Sequence, residues 1–397
     1  EEVQKIGPLQ KINFFIGQNN SGKSNILLFL KNHFHSVFQP EKNTQRVSIK
    51  FNQLDKCLGY EEKAVRFAIA LNLDGKNYEV LKNKCSKKID SSEKTIQLLD
   101  RLLSSEPFTN NTRIAWFPYS APKLGAVANF DMQIVDVLLK SQILSSGEWS
   151  HLWHHLTRST GGDIRQHWIP ETLSYLSPIT FDYPDIELIP AIRKIGEAEV
   201  KASDDFSGAG IIDRLARIQN PKHDQQQYRR KFQTINEFVK EVTNNETATL
   251  EIPYERDMIT VHMDGKVLPI SSLGTGIHEV VILAAAATVL EEKILCIEEP
   301  ELHLHPLLQK RLCKYLSEKT NNQYIISTHS TQLLDTQDAR IFHVRYENGA
   351  TTVDNVVSSS QKTSIFADLG YKASDLLQSN CIIWVEGPSD RDRKSVV

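Results

Sequence analysis

The run Gly17-Gln18-Asn19-Asn20-Ser21-Gly22-Lys23-Ser24 matches the P-loop pattern of a glycine, four free positions and then Gly-Lys-Ser. Nothing else in the chain restricts the fold as strongly, because the pattern works only between a buried strand and an apolar helix. Both flanks are present. Lys11 to Ile16 is an apolar run of strand length, and Asn25 to Leu30 continues as the first turns of an apolar helix. Glycines let the backbone curl until its N–H groups converge on a phosphate, and the new helix adds partial positive charge. In that arrangement Gly17, Asn19, Asn20, Ser21 and Gly22 form the cradle, Lys23 reaches the β- and γ-phosphates, and the Ser24 hydroxyl sits on Mg²⁺. ATP and Mg²⁺ are the expected ligands.

Far downstream, Lys293 to Glu299 is an apolar run ending in two carboxylates. Side chains alternate along a strand, so the two acids are expected to do different work. Glu298 is placed to hold Mg²⁺ through water, and Glu299 to orient and polarise the water that attacks the γ-phosphate. Tyr324 to Ser330 is another buried run ending in small polar residues, where His329 can hydrogen-bond the γ-phosphate. His303 and His305 precede Pro306, which opens a helix. Metal binding is one role for them, and a structural or dimer-contact role is favoured. Upstream, Gly274, Thr275 and Gly276 lead into a long apolar helix through Leu290. They form a second phosphate-binding edge, suited to a nucleotide held by another subunit.

The remaining segments carry weaker signals. At 397 residues, two or three structural units are expected. Alternation over Arg46 to Phe51 and Glu62 to Leu73, then a hairpin turn at Asp74 to Asn77 leading to Tyr78 to Leu81, predicts an antiparallel sheet. Lys82, Lys84, Lys87 and Lys88 read as a solvated face or a phosphate-tracking surface. Helical spacing covers Glu93 to Leu103 and Val127 to Ile143, and Arg113 to Pro118 is a strand ended by proline. His151, His154 and His155 lack the glutamate of a His-Glu-x-x-His motif, which favours an aromatic helix surface over a metal site. A strand from Glu187 runs into Pro190. Ser207 to Gly210 then opens a helix carrying Arg214, Arg217, Lys222, Arg229, Arg230 and Lys231, read as a DNA-facing arm, a dimerising insertion or a solvent-facing helical pair. A small hairpin over Glu251 to Ile270 turns at Asp264-Gly265.

The net charge of −3 gives no global attraction for nucleic acid, so a DNA contact needs a local basic surface. The five cysteines, Cys57, Cys85, Cys296, Cys313 and Cys381, form no Cys-x-x-Cys pair, which predicts reduced thiols and a cytoplasmic location. The apolar run from Val280 to Leu290 falls short of the roughly 20 residues that cross a bilayer, so no membrane association is expected.

Taken together, these motifs resemble the ABC-type ATPase heads of the RecF and SMC kind, and in particular the overcoming-lysogenization-defect (OLD) family of ATPase-nucleases. Glu298 to Pro306 resembles that family's extended Walker B, and Ser327 to Ser330 its switch histidine. Leu273 to Ile277 falls where ABC proteins carry Leu-Ser-Gly-Gly-Gln, with Gly274 in place of the serine. Cys381 to Asp390 resembles the first strand and turn of a Toprim domain, which implies a metal role with Mg²⁺ or Mn²⁺ for Glu386. The implied fold is α/β: an ABC-head-like P-loop NTPase over 1–378 with a mixed, largely parallel core sheet, an antiparallel β subdomain and a helical insertion over roughly 120–245. The truncated Toprim start follows over 379–391. Both ends read as cut, with a native start expected before Glu1 and a non-native tail over 392–397.

The function the resemblance implies is an ATP-hydrolysing module that dimerises, or forms a higher homo-oligomer, around ATP and regulates metal-dependent DNA cleavage in anti-phage defence. DNA is an expected partner of the full-length protein. Toprim chemistry needs more carboxylates than Glu386, so this chain alone is not expected to cut DNA, and alone it is expected to hydrolyse ATP weakly or not at all. The alternatives are a RecF-like or SMC-like repair ATPase without nuclease chemistry and, less well matched, the nucleotide-binding subunit of a transporter.

Overall fold

The computed structural model describes residues 4–34, 65–86, 92–109, 113–121, 129–176, 184–191 and 209–370. Arg46 to Phe51, Lys87, Lys88, Ser207, Gly208, Glu386, the expected Toprim start and the tail over 392–397 lie outside them. The chain forms two compact units, one from 1–31 with 184–397 and the other from 32–183.

The chain opens with β1 (Ile12–Ile16), buried along its whole length, and α1 (Lys23–Phe29). In the second unit, β2 (Val65–Asn72) is followed by α2 (Lys76–Ser86) and α3 (Ser92–Leu103). The turn at Asp74-Gly75 therefore leads into a helix, not the expected returning strand. Tyr78, Leu81 and Cys85 are buried at helical spacing, which commits the segment to one helical face. The strand that pairs antiparallel with β2 is β3 (Ile114–Ala121), with Leu71 opposite Ala115 and Phe67 opposite Tyr119.

β3 also runs through Pro118 instead of ending there. The Pro118 carbonyl accepts from Asp131 N, so its nitrogen points to the same side, where the neighbouring β4 (Asn129–Phe130) pairs only with Tyr119 and Ser120. The missing donor falls where the ladder is short. The helix expected over Val127 to Ile143 is shorter, α4 (Gln133–Ser141), because β4 occupies its start. α5 (Ser146–Thr157) begins at a capping box between Ser145 and Glu148, and α6 (Ile169–Leu176) packs on it. Trp149, Leu152, Leu156, Leu173 and Leu176 help form this unit's core. Lys82 pairs with Glu79 at 2.5 Å, and Lys84 lies over the Tyr175 ring. His151 and His155 meet edge to face at 4.1 Å on α5.

The first unit resumes with β5 (Ile186–Ile189) and a pair of helices, α7 (Ala209–Gln219) and α8 (Gln227–Thr243). The single helix expected to carry the basic residues is thus broken near Pro221, whose ring disfavours helical backbone in the residue before it. Leu215, Phe232, Ile235, Phe238 and Val239 are buried, while Arg217, Arg229 and Arg230 are exposed. Three short strands, β6 (Thr249–Glu251), β7 (Thr260–Met263) and β8 (Lys266–Pro269), make an antiparallel sheet with the expected turn at Asp264-Gly265. Residues 252–259 of the expected hairpin form the connection instead, with Tyr254 exposed.

α9 (Thr275–Val289) is buried on every side from Val280 to Ala287, the pattern of a helix enclosed by its neighbours, here α7, α8 and α10 (Pro306–Lys319). The remaining elements are β9 (Ile294–Glu298), β10 (Gln323–Thr328), β11 (Ala339–Glu347), β12 (Ala350–Asn355) and α11 (Ser359–Asp368). The main sheet runs β12-β11-β1-β10-β9-β5, parallel throughout except for β12. Its register sets Phe15 beside Ser327 and Ser327 beside Glu298. The loops after β1, β9 and β10 therefore leave the same edge of the sheet, the carboxyl edge at which open α/β sheets bind ligands.

Candidate functional site

β1 is fixed by a polar residue inside an apolar strand. Asn13, fully buried, donates to Tyr324 O at 2.9 Å and Gln10 O at 2.8 Å and accepts from Gln10 N. Gly17 follows, and a Cβ there would lie 1.9 Å from the Val344 carbonyl of β11. Gly22 adopts φ 100°, and a Cβ on it would meet Thr351 Oγ1 at 2.5 Å. Both glycines are thus required by the strands packed behind the loop, a constraint separate from any phosphate. Asn20 also has a left-handed backbone, and Asn19 and Asn20 are exposed.

Lys23 folds back over the loop. Its Nζ donates to Gly17 O at 2.9 Å and Gln18 O at 2.7 Å, which leaves one of the three ammonium protons for another acceptor. Burial pushes its pKa down, against the opposing pull of Glu299 and Glu301. His329 arrives from the end of β10 and points its Nδ1 at the same Gly17 carbonyl, at 2.8 Å. A carbonyl only accepts, so Nδ1 carries the proton, and Gly17 O uses both lone pairs on Lys23 and His329. His329 Nε2 meets Glu299 Oε1 at 2.8 Å.

Glu298 and Glu299 are separated more sharply than strand alternation alone would do. Glu298 closes β9, whereas Glu299 turns out of it with φ 42° while its N–H still reaches Ser327 O at 2.8 Å. That left-handed step brings the Glu299 carboxylate to His329. Two residues on, Glu301 Oε1 accepts from His329 N at 2.5 Å. Sequence reasoning assigned Glu301 no role. Its signal was its place in the Glu-Pro-Glu run, two residues beyond the carboxylate pair. A buried chain from Ser330 Oγ to Gln309 Oε1 (2.6 Å), and from Gln309 Nε2 to Leu304 O (3.0 Å), ties the loops after β9 and β10 together.

His305 caps α10, its Nδ1 accepting from Leu307 N, and His303 has a left-handed backbone. A Cβ on Gly276 would lie 2.7 Å from His303 O, so the start of α9 packs on the Glu299–His305 loop. Gly274 and Thr275 are exposed at that helix start. Lys23, Glu299 and His329 are thus joined through Gly17, while the Gly274–Gly276 edge touches the far end of the same loop. Ser24 is exposed in the first turn of α1.

The donors suit the ligands expected from the sequence. Ser24 and Glu298 offer a hydroxyl and a carboxylate, hard oxygens of the kind Mg²⁺ prefers. Ser21 Oγ and Glu301 Oε2 are buried without a hydrogen-bond partner, so the loop and its neighbour keep polar capacity for a ligand. Among the described residues no group of three or more His, Cys, Asp or Glu could hold a metal ion by itself. None of their helices is long and apolar enough to cross a membrane.

The sequence profile of the AAA ATPase domain matches residues 5–334. Among solved structures, an Smc head bound to the C-terminal winged-helix domain of ScpA is similar at 16% identity and a TM-score of 0.41, over 89% of this chain and 93% of that one. An Smc head from Pyrococcus furiosus, with an extended coiled coil and bound to the C-terminal domain of ScpA, is similar at 15% identity and 0.39, over 91% and 94%. The SMC head domain from Thermotoga maritima is similar at 20% identity and 0.28, over 37% of this chain and 52% of that one. No curated protein matches the sequence.

Proposed function

The chain belongs to the AAA ATPase domain family, and from that membership we propose that it binds ATP with Mg²⁺ at the Gly17–Ser24 loop and hydrolyses it with Glu299 as the water-orienting base. The observation that carries the reading is the junction at Gly17 O, where Lys23 and His329 converge and from which His329 reaches Glu299. Lys23 directs its remaining proton to a phosphate oxygen. Glu299 has one oxygen on His329 and the other free to take a proton from water, and His329 holds that carboxylate in place. Ser24 and Glu298 would hold Mg²⁺, which when bound would supply positive charge to the transferring phosphate.

Binding of a fluorescent ATP analogue and phosphate release test this directly. Lys23→Ala should lose binding, and Glu299→Gln should bind and not turn over. Wild-type behaviour in both variants would refute the assignment.

We further propose that two copies close around ATP, with Gly274, Thr275 and Gly276 of one facing the nucleotide of the other. The exposure of Gly274 and Thr275 at the start of α9 supports this. Sedimentation of Glu299→Gln with and without ATP tests it, and a species unchanged by ATP would sink it. The module is proposed to regulate an OLD-type Toprim nuclease in anti-phage defence, with DNA as partner in the cytoplasm. The resemblance of Glu298 to Pro306 and of Cys381 to Asp390 supports that role. Plasmid cleavage by the full-length protein, altered by ATP and lost in Glu386→Ala, is the expected result; no cleavage with Mg²⁺ or Mn²⁺ would refute it.

A further inference from the structure

The back of the P-loop is held by elements that none of the sequence motifs includes. β11 lies beside β1 with His343 opposite Ile16, the residue before the loop. Thr351 of β12 donates through Oγ1 to Ser21 O at 3.0 Å. Gln18, the first free position of the P-loop, donates through Nε2 to the carbonyl of Asp368 at 2.5 Å and to its Oδ1 at 3.1 Å. The other carboxylate oxygen of Asp368 meets Nε2 of the buried His343 at 3.0 Å. Asp368 closes α11, and that helix also grips the segment after β10, through Lys362 Nζ on Leu334 O at 2.9 Å.

The same Gln18 whose side chain is tied to Asp368 presents its carbonyl to Lys23 Nζ at 2.7 Å. A side chain fixed at its end fixes the peptide it hangs from, and that peptide orients the ammonium. We propose that Asp368 is a positioning residue for the P-loop, acting through Gln18 on Lys23, and that α11 thereby responds to nucleotide at the loop. The proposal rests on the reading that the loop binds ATP. Coupling of this kind is reciprocal: if the Asp368 contact favours nucleotide, then nucleotide stabilises α11 by the same factor.

A double-mutant cycle on the whole chain tests this, reading the Kd of Mg²⁺ with a slowly hydrolysed ATP analogue. Gln18→Leu, which removes both bonds to Asp368, should weaken binding about 5- to 10-fold, the worth of about one ordinary hydrogen bond, and Asp368→Ala, which loses Oδ1 and keeps the main-chain acceptor, should weaken it about 3- to 5-fold. The double variant should be no weaker than Gln18→Leu alone. Asp368→Asn, which keeps an acceptor for Gln18 and presents an amide N–H that His343 Nε2 can accept in its other tautomer, should restore the affinity to within about twofold of wild type. A merely structural role would lower the melting temperature of Asp368→Ala and leave the Kd unmoved. Hydrogen exchange over 359–369 should slow with the analogue in wild type and not in Gln18→Leu. Additive losses in the cycle, or an unmoved Kd in Asp368→Ala, would overturn the proposal while wild type still binds. Wild type that fails to bind would overturn the ATP reading and this proposal with it.

Discussion

Gly17→Ala should damage both the fold and the proposed nucleotide site. The added Cβ would sit 1.9 Å from the Val344 carbonyl, where ordinary contact begins at 3.4 Å. About 1.5 Å must therefore open between β1 and β11, and the obstacle is backbone in the interior of a six-stranded sheet, which cannot swing aside as a side chain can. Overpacking in a filled interior costs about 1–3 kcal/mol, and a backbone obstacle puts this site at about 3 kcal/mol. With a urea slope of about 3 kcal/mol/M, the unfolding midpoint should fall by about 1 M. ATP binding should be lost as well, because the shift moves the carbonyl that receives Lys23 and His329. Gly147→Ala is the internal comparison. A Cβ there meets nothing within 4 Å and lies in α5, so it should stabilise by up to about 1 kcal/mol. Urea titrations and analogue binding on both variants check the reasoning. A Gly17→Ala protein with wild-type midpoint and affinity, or a Gly147→Ala protein equally damaged, would refute it.

Lys23→Met should abolish ATP binding and leave stability unchanged or higher, since burial already disfavours the ammonium and its partners are two neutral carbonyls. A large loss of stability would contradict this. Glu299→Gln should keep ATP affinity and lower kcat by about 10²- to 10⁴-fold, as phosphate release under saturating ATP would report. Asn322 donates to Ala287 O at 2.7 Å and to Leu290 O at 2.5 Å. Asn322→Leu should therefore cost about 2–3 kcal/mol by stranding those buried carbonyls, a loss that urea unfolding would measure. The Glu148 carboxyl is held down at about 2 by its bond to Arg101 and by the Ser145 N–H. A depressed folded pKa gives stability that is present above about 4.5 and lost as pH falls toward 2. Glu148→Gln should thus be less stable than wild type at pH 7, with the difference closing over that interval; a gap independent of pH would count against the pair.

The features legible in the sequence were those written in consecutive residues. The P-loop between its apolar flanks, the runs ending at Glu299 and Ser330, the turn at Asp264-Gly265 and the helix start at Pro306 each combine local periodicity with a turn or cap residue. The structure forms all of them within a residue or two. Local reading failed where one stretch suits two conformations. The segment after Gly75 becomes a helix, and the strand that pairs with β2 lies further along, at Ile114–Ala121. The P-loop itself marked the proposed nucleotide site and named Lys23, and no local pattern could say what lies behind the loop. Val344, Thr351 and Asp368 hold it from more than three hundred residues away, and His329, itself held by Glu301, closes it from the other side. Those partners are chosen by strand pairing and by the packing of helix and loops along the sheet, which bring distant chain segments together and leave no mark on the residues nearby. The sequence determined which chemistry the chain can hold; only the assembled sheet decided that Gly17 must be glycine for Val344 as well as for phosphate.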